Sequence, residues 1–203
     1  MSEFDLLHSR DLYDPNLSDI QAVQKQCLQL QYEYNQTRPD EQEKRQTLLK
    51  QMFAQIGEGC VIEPPLHANW GGHFVKLGNY VYANFNLTMV DDTVIEIGDH
   101  TMFGPNVTIC TGTHPLSPEH REKGLQYNLP VRIGKNCWVG AGAIILPGVS
   151  IGDNSVIGAG SIVTKDIPEN VLAFGNPCRV IRPLDQHDRE YYDHNRRIPQ
   201  ELL

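Results

Sequence analysis

The chain has 203 residues, 40% hydrophobic and 21% charged, which is enough apolar content to bury a single core and too much for a disordered chain. Its formal net charge of −8 argues against a globally cationic surface for nucleic acid, so a polyphosphate ligand would have to be met by a local basic patch. Its five cysteines, Cys27, Cys60, Cys110, Cys137 and Cys178, are odd in number and contain no C-x-x-C, which argues against a disulfide framework or a cysteine-rich zinc site.

The amino terminus, MSEFDLLHSRDLYD, carries acids and no apolar run, so it does not read as a signal peptide. No stretch approaches the roughly 18 apolar residues that span a bilayer. With the unpaired cysteines, this predicts a cytoplasmic protein.

Residues 1–55 predict a helical segment. Ser18 followed by Gln21 reads as a capping box. Ile20, Val23, Cys27, Leu30 and Tyr34 recur at spacings of three or four and form one helix face. Pro39 is expected to open a second helix, whose stripe is Leu48, Leu49, Met52, Phe53 and Ile56, with Gly57 ending it. Such amphipathic helices need a body to lie on.

Residues 56–181 supply it through an internal repeat of six. Ile133, Val139, Ile145, Ile151, Ile157 and Val163 stand six apart, and Gly134, Gly140, Gly152 and Gly158 follow four of them. Four positions after these anchors sit Cys137, Ala143, Val149, Ser155, Ser161 and Ile167. The same phase runs through Leu77, Ala83 and Met89, slips by two around Asp91-Asp92, and resumes at Ile97, Phe103 and Ile109. The pattern then lapses, so 113–130 reads as a loop thrown out of the repeat. A period of six fits neither a helix nor simple alternation. It predicts a coil of short strands on flat faces, with anchors pointing into the shaft and the glycines turning the corners. Residues 182–203 form a tail without a pattern.

The hexads of IGKNCWVGAGAIILPGVSIGDNSVIGAGSIVTKDIPENVLAFGNPCRVI resemble those of the hexapeptide-repeat acyltransferases. NYVYANFNLTMVDD, TGTHP and the amino-terminal YEYN narrow the resemblance to the galactoside and maltose O-acetyltransferase group. The resemblance implies a mainly β fold, a left-handed parallel β-helix, assembled as a homotrimer with active sites between subunits. It implies transfer of an acetyl group from acetyl-CoA to a hydroxyl of a small sugar, with no metal and no covalent enzyme intermediate.

That chemistry needs a base, oxyanion donors and a positioned thioester. In Thr113-His114-Pro115 the resemblance makes His114 the base, since an imidazole can hold a proton briefly near neutral pH. It makes Asn84 the donor to the transition state and Asp92 the acceptor ligand, where a carboxylate could hold two sugar hydroxyls; Asp91 is the competing choice. Asp14 and Asn69 are further acceptor contacts, Asn69 standing where a galactoside-acetylating relative would have serine, and Tyr82 could stack on a sugar ring. For the donor, Ala141, Ala159 and Thr164 match positions that contact acetyl-CoA, and Trp138 could pack on its pantetheine arm. Lys165, Arg179 and Arg182 form the basic cluster for its phosphates.

Two other classes compete. One is a γ-carbonic-anhydrase-like hydratase, with His114 and His120 as zinc ligands and His67, His73 or His100 lacking a matching context for the third. The other is a trimeric scaffold without catalysis. Within the class, maltose, glucose or a xenobiotic hydroxyl are alternative acceptors.

Overall fold

The computed structural model describes residues 3–194 and 196–202. Its body is a parallel β-solenoid of about six turns with three faces. The first face stacks Gln55–Ile56, Val75–Leu77, Ile95–Ile97, Val131–Ile133 and Ser150–Ile151. The second stacks Val61–Ile62, Tyr82–Ala83, Met102–Phe103, Trp138–Val139, Val156–Ile157 and Val171–Phe174, with Arg179–Pro183 added antiparallel at its end. The third stacks His67–Ala68, Thr88–Val90, Thr108–Cys110, Ile144–Ile145 and Ile162–Val163.

The hexad anchors are the core. Leu77, Ala83, Met89, Ile97, Phe103, Ile109, Ile133, Val139, Ile145, Ile151, Ile157 and Val163 are all buried in one cluster. Each large aliphatic anchor contributes roughly 1.5–3 kcal/mol through removal from water.

Register places the irregularities of the repeat. From the first face to the second, the step between equivalent residues is six in successive coils: Gln55 to Val61, Lys76 to Tyr82, Glu96 to Met102 and Arg132 to Trp138. From the second to the third it is again six, as in Tyr82 to Thr88 and Trp138 to Ile144. From the third back to the first it is nine (His67 to Lys76), then eight (Thr88 to Glu96), then twenty-four (Thr108 to Arg132), and returns to six (Ile144 to Ser150). The insertions in these coils therefore stack on one edge, between the third and first faces. The longest is the expected loop. It is tied down by an antiparallel ladder of Gly112–Thr113 with Tyr127–Asn128 and carries a short helix, Pro118–Glu122.

The glycines after the anchors do a different job from the one expected. None of Gly98, Gly134, Gly140 or Gly152 has a positive φ. A Cβ on Gly98 would lie 2.6 Å from the Lys135 nitrogen, and one on Gly140 2.5 Å from that of Ala159. They are bare because the next coil's backbone lies against them. The left-handed corners come two residues later. Tyr80, His100, Asn136, Asn154 and Asn170 turn one edge, and Asn86, Asn106, Gly142 and Gly160 turn the next. Asparagine tolerates this conformation, and the stacked amides bond from coil to coil: Asn136 donates to Asn154 at 3.1 Å and Asn154 to Asn170 at 2.9 Å.

Three helices precede the solenoid: α1 (Glu3–Ser9), α2 (Ser18–Asn35) and α3 (Gln42–Met52). The expected capping box is not made. Ser18 is the first helical residue, and the cap, Leu17, has no side-chain bond. Pro39 lies two residues before the α3 cap, Glu41, and Ile56 belongs to the first strand. The expected α2 face does pack inward. From it and its end, the Tyr34 hydroxyl donates to the Ile62 carbonyl, Gln31 accepts from Ala68 N–H, and the Asn35 amide bridges the N–H and C=O of Leu66. These bonds satisfy the open edge of the first coil, which would otherwise be free to pair with another chain.

The strand that ends the second face runs from Arg179 to Pro183, across position 181. The tail then forms a helix, Gln186–Glu190, and a hairpin of Tyr191–Asp193 with Arg196–Arg197. Among the described residues no helix is long and apolar enough to cross a membrane, and the five cysteines are free.

Gly98→Ala is expected to destabilise the fold by about 1–3 kcal/mol through overpacking, although alanine is conformationally less costly. Urea denaturation should show a lower midpoint with an unchanged slope.

Candidate active site

The stacked insertions place several polar side chains at one edge. The nine-residue step carries Asn69 and Trp70, the eight-residue step Asp91 and Asp92, and the long step His114, Gln126 and Asn128. The two adjacent aspartates divide the work. Asp91 is fully buried; Oδ1 accepts from the Trp70 backbone N–H at 2.7 Å and Oδ2 from that of Gly72 at 2.9 Å. It shapes the turn beneath the site and has no outlet to a ligand. Burial raises its pKa to about 7, against the opposing pull of those two N–H donors.

Asp92 faces the loop and is the centre of a side-chain network. Oδ1 accepts from Asn69 Nδ2 and Trp70 Nε1, both at 3.2 Å, and Oδ2 from Gln126 Nε2 at 3.0 Å. Burial raises its pKa, while the bonds from Asn69, Gln126 and Trp70 and the charge of His114 lower it. Of the two carboxylates, Asp91 is engaged by backbone N–H groups alone, whereas Asp92 bonds the side chains gathered at this edge. Two sugar hydroxyls, however, exceed its capacity. A carboxylate has about four lone-pair sites, and three donors already occupy it.

The amino-terminal segment closes over this edge. Tyr13 pairs with Gln126 backbone to backbone at 2.9 and 3.0 Å, and its hydroxyl accepts from Gln126 Nε2 and Asn128 Nδ2, both at 2.9 Å. Asn128 also donates to the carbonyls of Leu7 and Asp92. Burial, followed by the Asn128 bond and the Asp92 charge, leaves the Tyr13 phenol with a pKa of about 12. Asp14 is exposed beside Tyr13 and accepts from Asn16. Sequence analysis missed Tyr13, Trp70, Gln126 and Asn128. The alternation of Gln126 and Asn128 around Tyr127 is the only local sign that a strand presents them on one side.

His114 is exposed above Asp92. Its Nδ1 lies 2.9 Å from the Leu125 carbonyl. A carbonyl only accepts, so Nδ1 carries the proton and Nε2 keeps its lone pair.

The remaining candidates lie elsewhere. Asn84 is on the edge between the second and third faces. Its Oδ1 accepts from Phe85 N–H at 2.8 Å, which leaves Nδ2 to donate. Ala141 and Ala159 continue that edge, exposed beside Gly142 and Gly160, where an added Cβ would meet nothing within 4 Å. Tyr82 and Trp138 stand apart from Asp92, on the outer surface of the second face with Met102 between them. Thr164 follows the last strand of the third face. Lys165 and Arg179 line a recess of about 250 Å³ with Cys178 and Val180. Arg182 is not available in the same way: Asp188 holds its guanidinium bidentately at 2.6 and 2.7 Å and is itself held well below the usual carboxylate range.

Comparison with known proteins gives these positions a context. Residues 8–57 match the maltose acetyltransferase hexapeptide capping motif, and residues 130–165 the hexapeptide repeat of succinyl-transferase. The chain is 53% identical over 198 residues to the galactoside O-acetyltransferase of Lactococcus lactis, covering 98% of this chain and 96% of that one. It is similar in structure to a galactoside acetyltransferase in complex with coenzyme A, with a TM-score of 0.94, 43% identity and coverage of 98% and 100%. A maltose O-acetyltransferase from Clostridium difficile 630 follows with a TM-score of 0.89, 41% identity and coverage of 92% and 99%.

The raised pKa of Asp91 makes stability depend on pH. The folded state keeps this proton up to about pH 7, whereas an unfolded aspartate releases it near about pH 4. The contribution is therefore full below about pH 4 and is lost as pH rises through about 7. Denaturation midpoints are expected to fall from pH 5 to 8. Asp91→Asn should flatten that slope while lowering stability throughout, because an amide nitrogen would face a backbone N–H.

Proposed function

The chain belongs to the galactoside O-acetyltransferase family of hexapeptide-repeat acetyltransferases, and on that premise we propose that it acetylates a hydroxyl of a galactoside, with His114 as general base. The protein is an acetyl-CoA-dependent O-acetyltransferase of sugars. The observation that carries the residue assignment is the His114–Leu125 bond, which leaves Nε2 as a lone-pair base above the Asp92 corner.

Acetyl-CoA supplies an activated acyl group and a good leaving group. His114 Nε2 takes the acceptor hydroxyl proton as the oxygen attacks the thioester carbonyl. Asn84 Nδ2 donates to the oxyanion, and the departing thiolate recovers the proton from His114. Asp92, Asn69 and Asp14 hold the acceptor. The donor fits the edge of Ala141, Gly142, Ala159 and Gly160, where the missing side chains leave room for a thin arm, and Lys165 and Arg179 suit its phosphates. Arg182, engaged by Asp188, contributes less.

Within one chain, His114 and Asn84 stand on different edges of the solenoid. The second face supports an assembly that joins them. Its outward residues Val61, Tyr82, Met102, Trp138, Val156 and Leu172 are in mutual register and form an apolar column up its height. The first face instead presents Lys76, Glu96 and Arg132, which are paired in salt bridges. A continuous apolar column on one face marks a protein interface. We therefore place the sites between neighbouring copies of a homotrimer, with Tyr82 and Trp138 at the contact. The free thiols fit a cytoplasmic location.

Maltose is the second acceptor candidate. The capping motif over residues 8–57 and the structural likeness to a maltose O-acetyltransferase favour it.

Thiol release from acetyl-CoA should be followed with isopropyl thiogalactoside, galactose, glucose, maltose, chloramphenicol and a serine control. Release that depends on a galactoside confirms the proposal, and release with maltose alone selects the alternative. His114→Ala should lower kcat at least ~10²-fold with coenzyme A binding retained; near-normal turnover would remove His114 from the mechanism. The shared site has a separate test. His114→Ala and Asn84→Ala chains, unfolded and reassembled together, should regain activity at about a quarter of the sites. No regain on mixing would place each site within one chain.

A further inference from the structure

We propose that Gln126 is a specificity-determining residue of the acceptor pocket, orienting Asp92 through Nε2 and accepting a neighbouring acceptor hydroxyl through Oε1. This rests on the acetyltransferase reading above.

The inference starts from counting lone pairs. Of the roughly four acceptor positions on the Asp92 carboxylate, Asn69 and Trp70 take both on Oδ1, and Gln126 takes one on Oδ2. One position on Oδ2 is left, sufficient for a single hydroxyl. Asp92 by itself would hold the sugar at one hydroxyl and leave it free to turn about that bond. Beside the contacts proposed for Asn69 and Asp14, a second fixed acceptor close to Asp92 would set which hydroxyl is presented to His114.

Gln126 supplies it. Its Nε2 lies within 3.0 Å of three oxygens: Asp92 Oδ2, Tyr13 Oη and Asn128 Oδ1. Two of these oxygens, Asp92 Oδ2 and the Asn128 carbonyl oxygen, accept and take the two amide hydrogens, which fixes this end of the amide as nitrogen. The other end is then Oε1, which has no hydrogen-bond partner among the described residues, on a half-buried side chain. On a partly exposed side chain, that oxygen is free to accept from a bound hydroxyl in place of water.

The surroundings are built for this contact. A Cβ on Gly112 would lie 2.3 Å from Asp92 Oδ2 and 3.1 Å from Gln126 Nε2, so the strand that leads to His114 carries no side chain where the two groups meet. The backbone pairing of Gln126 with Tyr13 fixes its main chain. The ligand chemistry is a vicinal diol: one hydroxyl donates to Asp92 Oδ2 and its neighbour to Gln126 Oε1. A simple alcohol could make only the first contact.

The test is steady-state thiol release for the full-length wild type, Gln126→Leu and Gln126→Glu, with isopropyl thiogalactoside and maltose. Both acceptors carry vicinal hydroxyls. Gln126→Leu should raise the acceptor KM about 10-fold and leave the KM for acetyl-CoA nearly unchanged, while the melting temperature falls because the Nε2 bonds are lost. Gln126→Glu keeps the shape but sets a second carboxylate against Asp92, so the two compete for one proton. Its acceptor KM should rise from pH 5.5 to 8 more steeply than that of the wild type, a response that packing alone does not produce. An unchanged acceptor KM in both variants, or parallel losses in acceptor KM and acetyl-CoA KM, would overturn the proposal. A wild type that releases thiol with neither sugar would instead sink the functional reading on which it rests.

Discussion

The six-residue step between faces is the constraint on which the rest of the structure depends. A coil can stack on the one before it only if equivalent residues stay in register, so an extra residue must leave the repeat at a corner and return to the same phase. Here three successive coils insert residues at one corner, and each insertion brings polar side chains to the same edge. The candidate site is therefore a by-product of where the solenoid relaxes its period. It borrows rigidity from the shaft and variety from the insertions, the usual division between scaffold and loops.

That edge has to bury two carboxylates without a salt bridge to either of them among the described residues. Adjacent Asp91 and Asp92 are both nearly inaccessible, and the donors that reach them are backbone N–H groups, two amides and an indole N–H, all neutral. Neutral donors compensate desolvation only in part, which is why burial heads the causes for both groups. Under the role proposed for Asp92, this leaves the carboxylate oriented by neutral amides and not tied up in a salt bridge.

Much of this was legible in the sequence because a period of six has few physical solutions. The anchors from Leu77 to Val163 are buried as the spacing requires, and the lapse after Ile109 is the loop. The glycines were misjudged for a physical reason. The need for a missing Cβ can come from φ or from a neighbouring coil, and only the stacked structure shows Lys135 against Gly98 and Ala159 against Gly140. Ser18 had the composition of a cap, but the helix starts at that residue instead of after it. The network around Asp92 was half visible. Asn69, Asp92 and His114 carry motifs, while Tyr13 and Gln126 gain their meaning from a contact 113 residues apart that no local pattern encodes. Arg182 has the right charge, yet the sequence could not reveal that Asp188 holds it.

The same repeat that builds the pocket also limits it. Straight edges keep whatever they carry apart. Asn84, Ala141 and Ala159 share one edge by periodicity, and Asp92 and His114 share another by insertion. Under the proposed roles, a base and an oxyanion donor around one carbonyl would then be drawn from two chains. The apolar column from Val61 to Leu172 offers the means on the face that ends at the Asn84 edge. Assembly would then be a condition of catalysis, and the face that drives it would need no catalytic residue of its own.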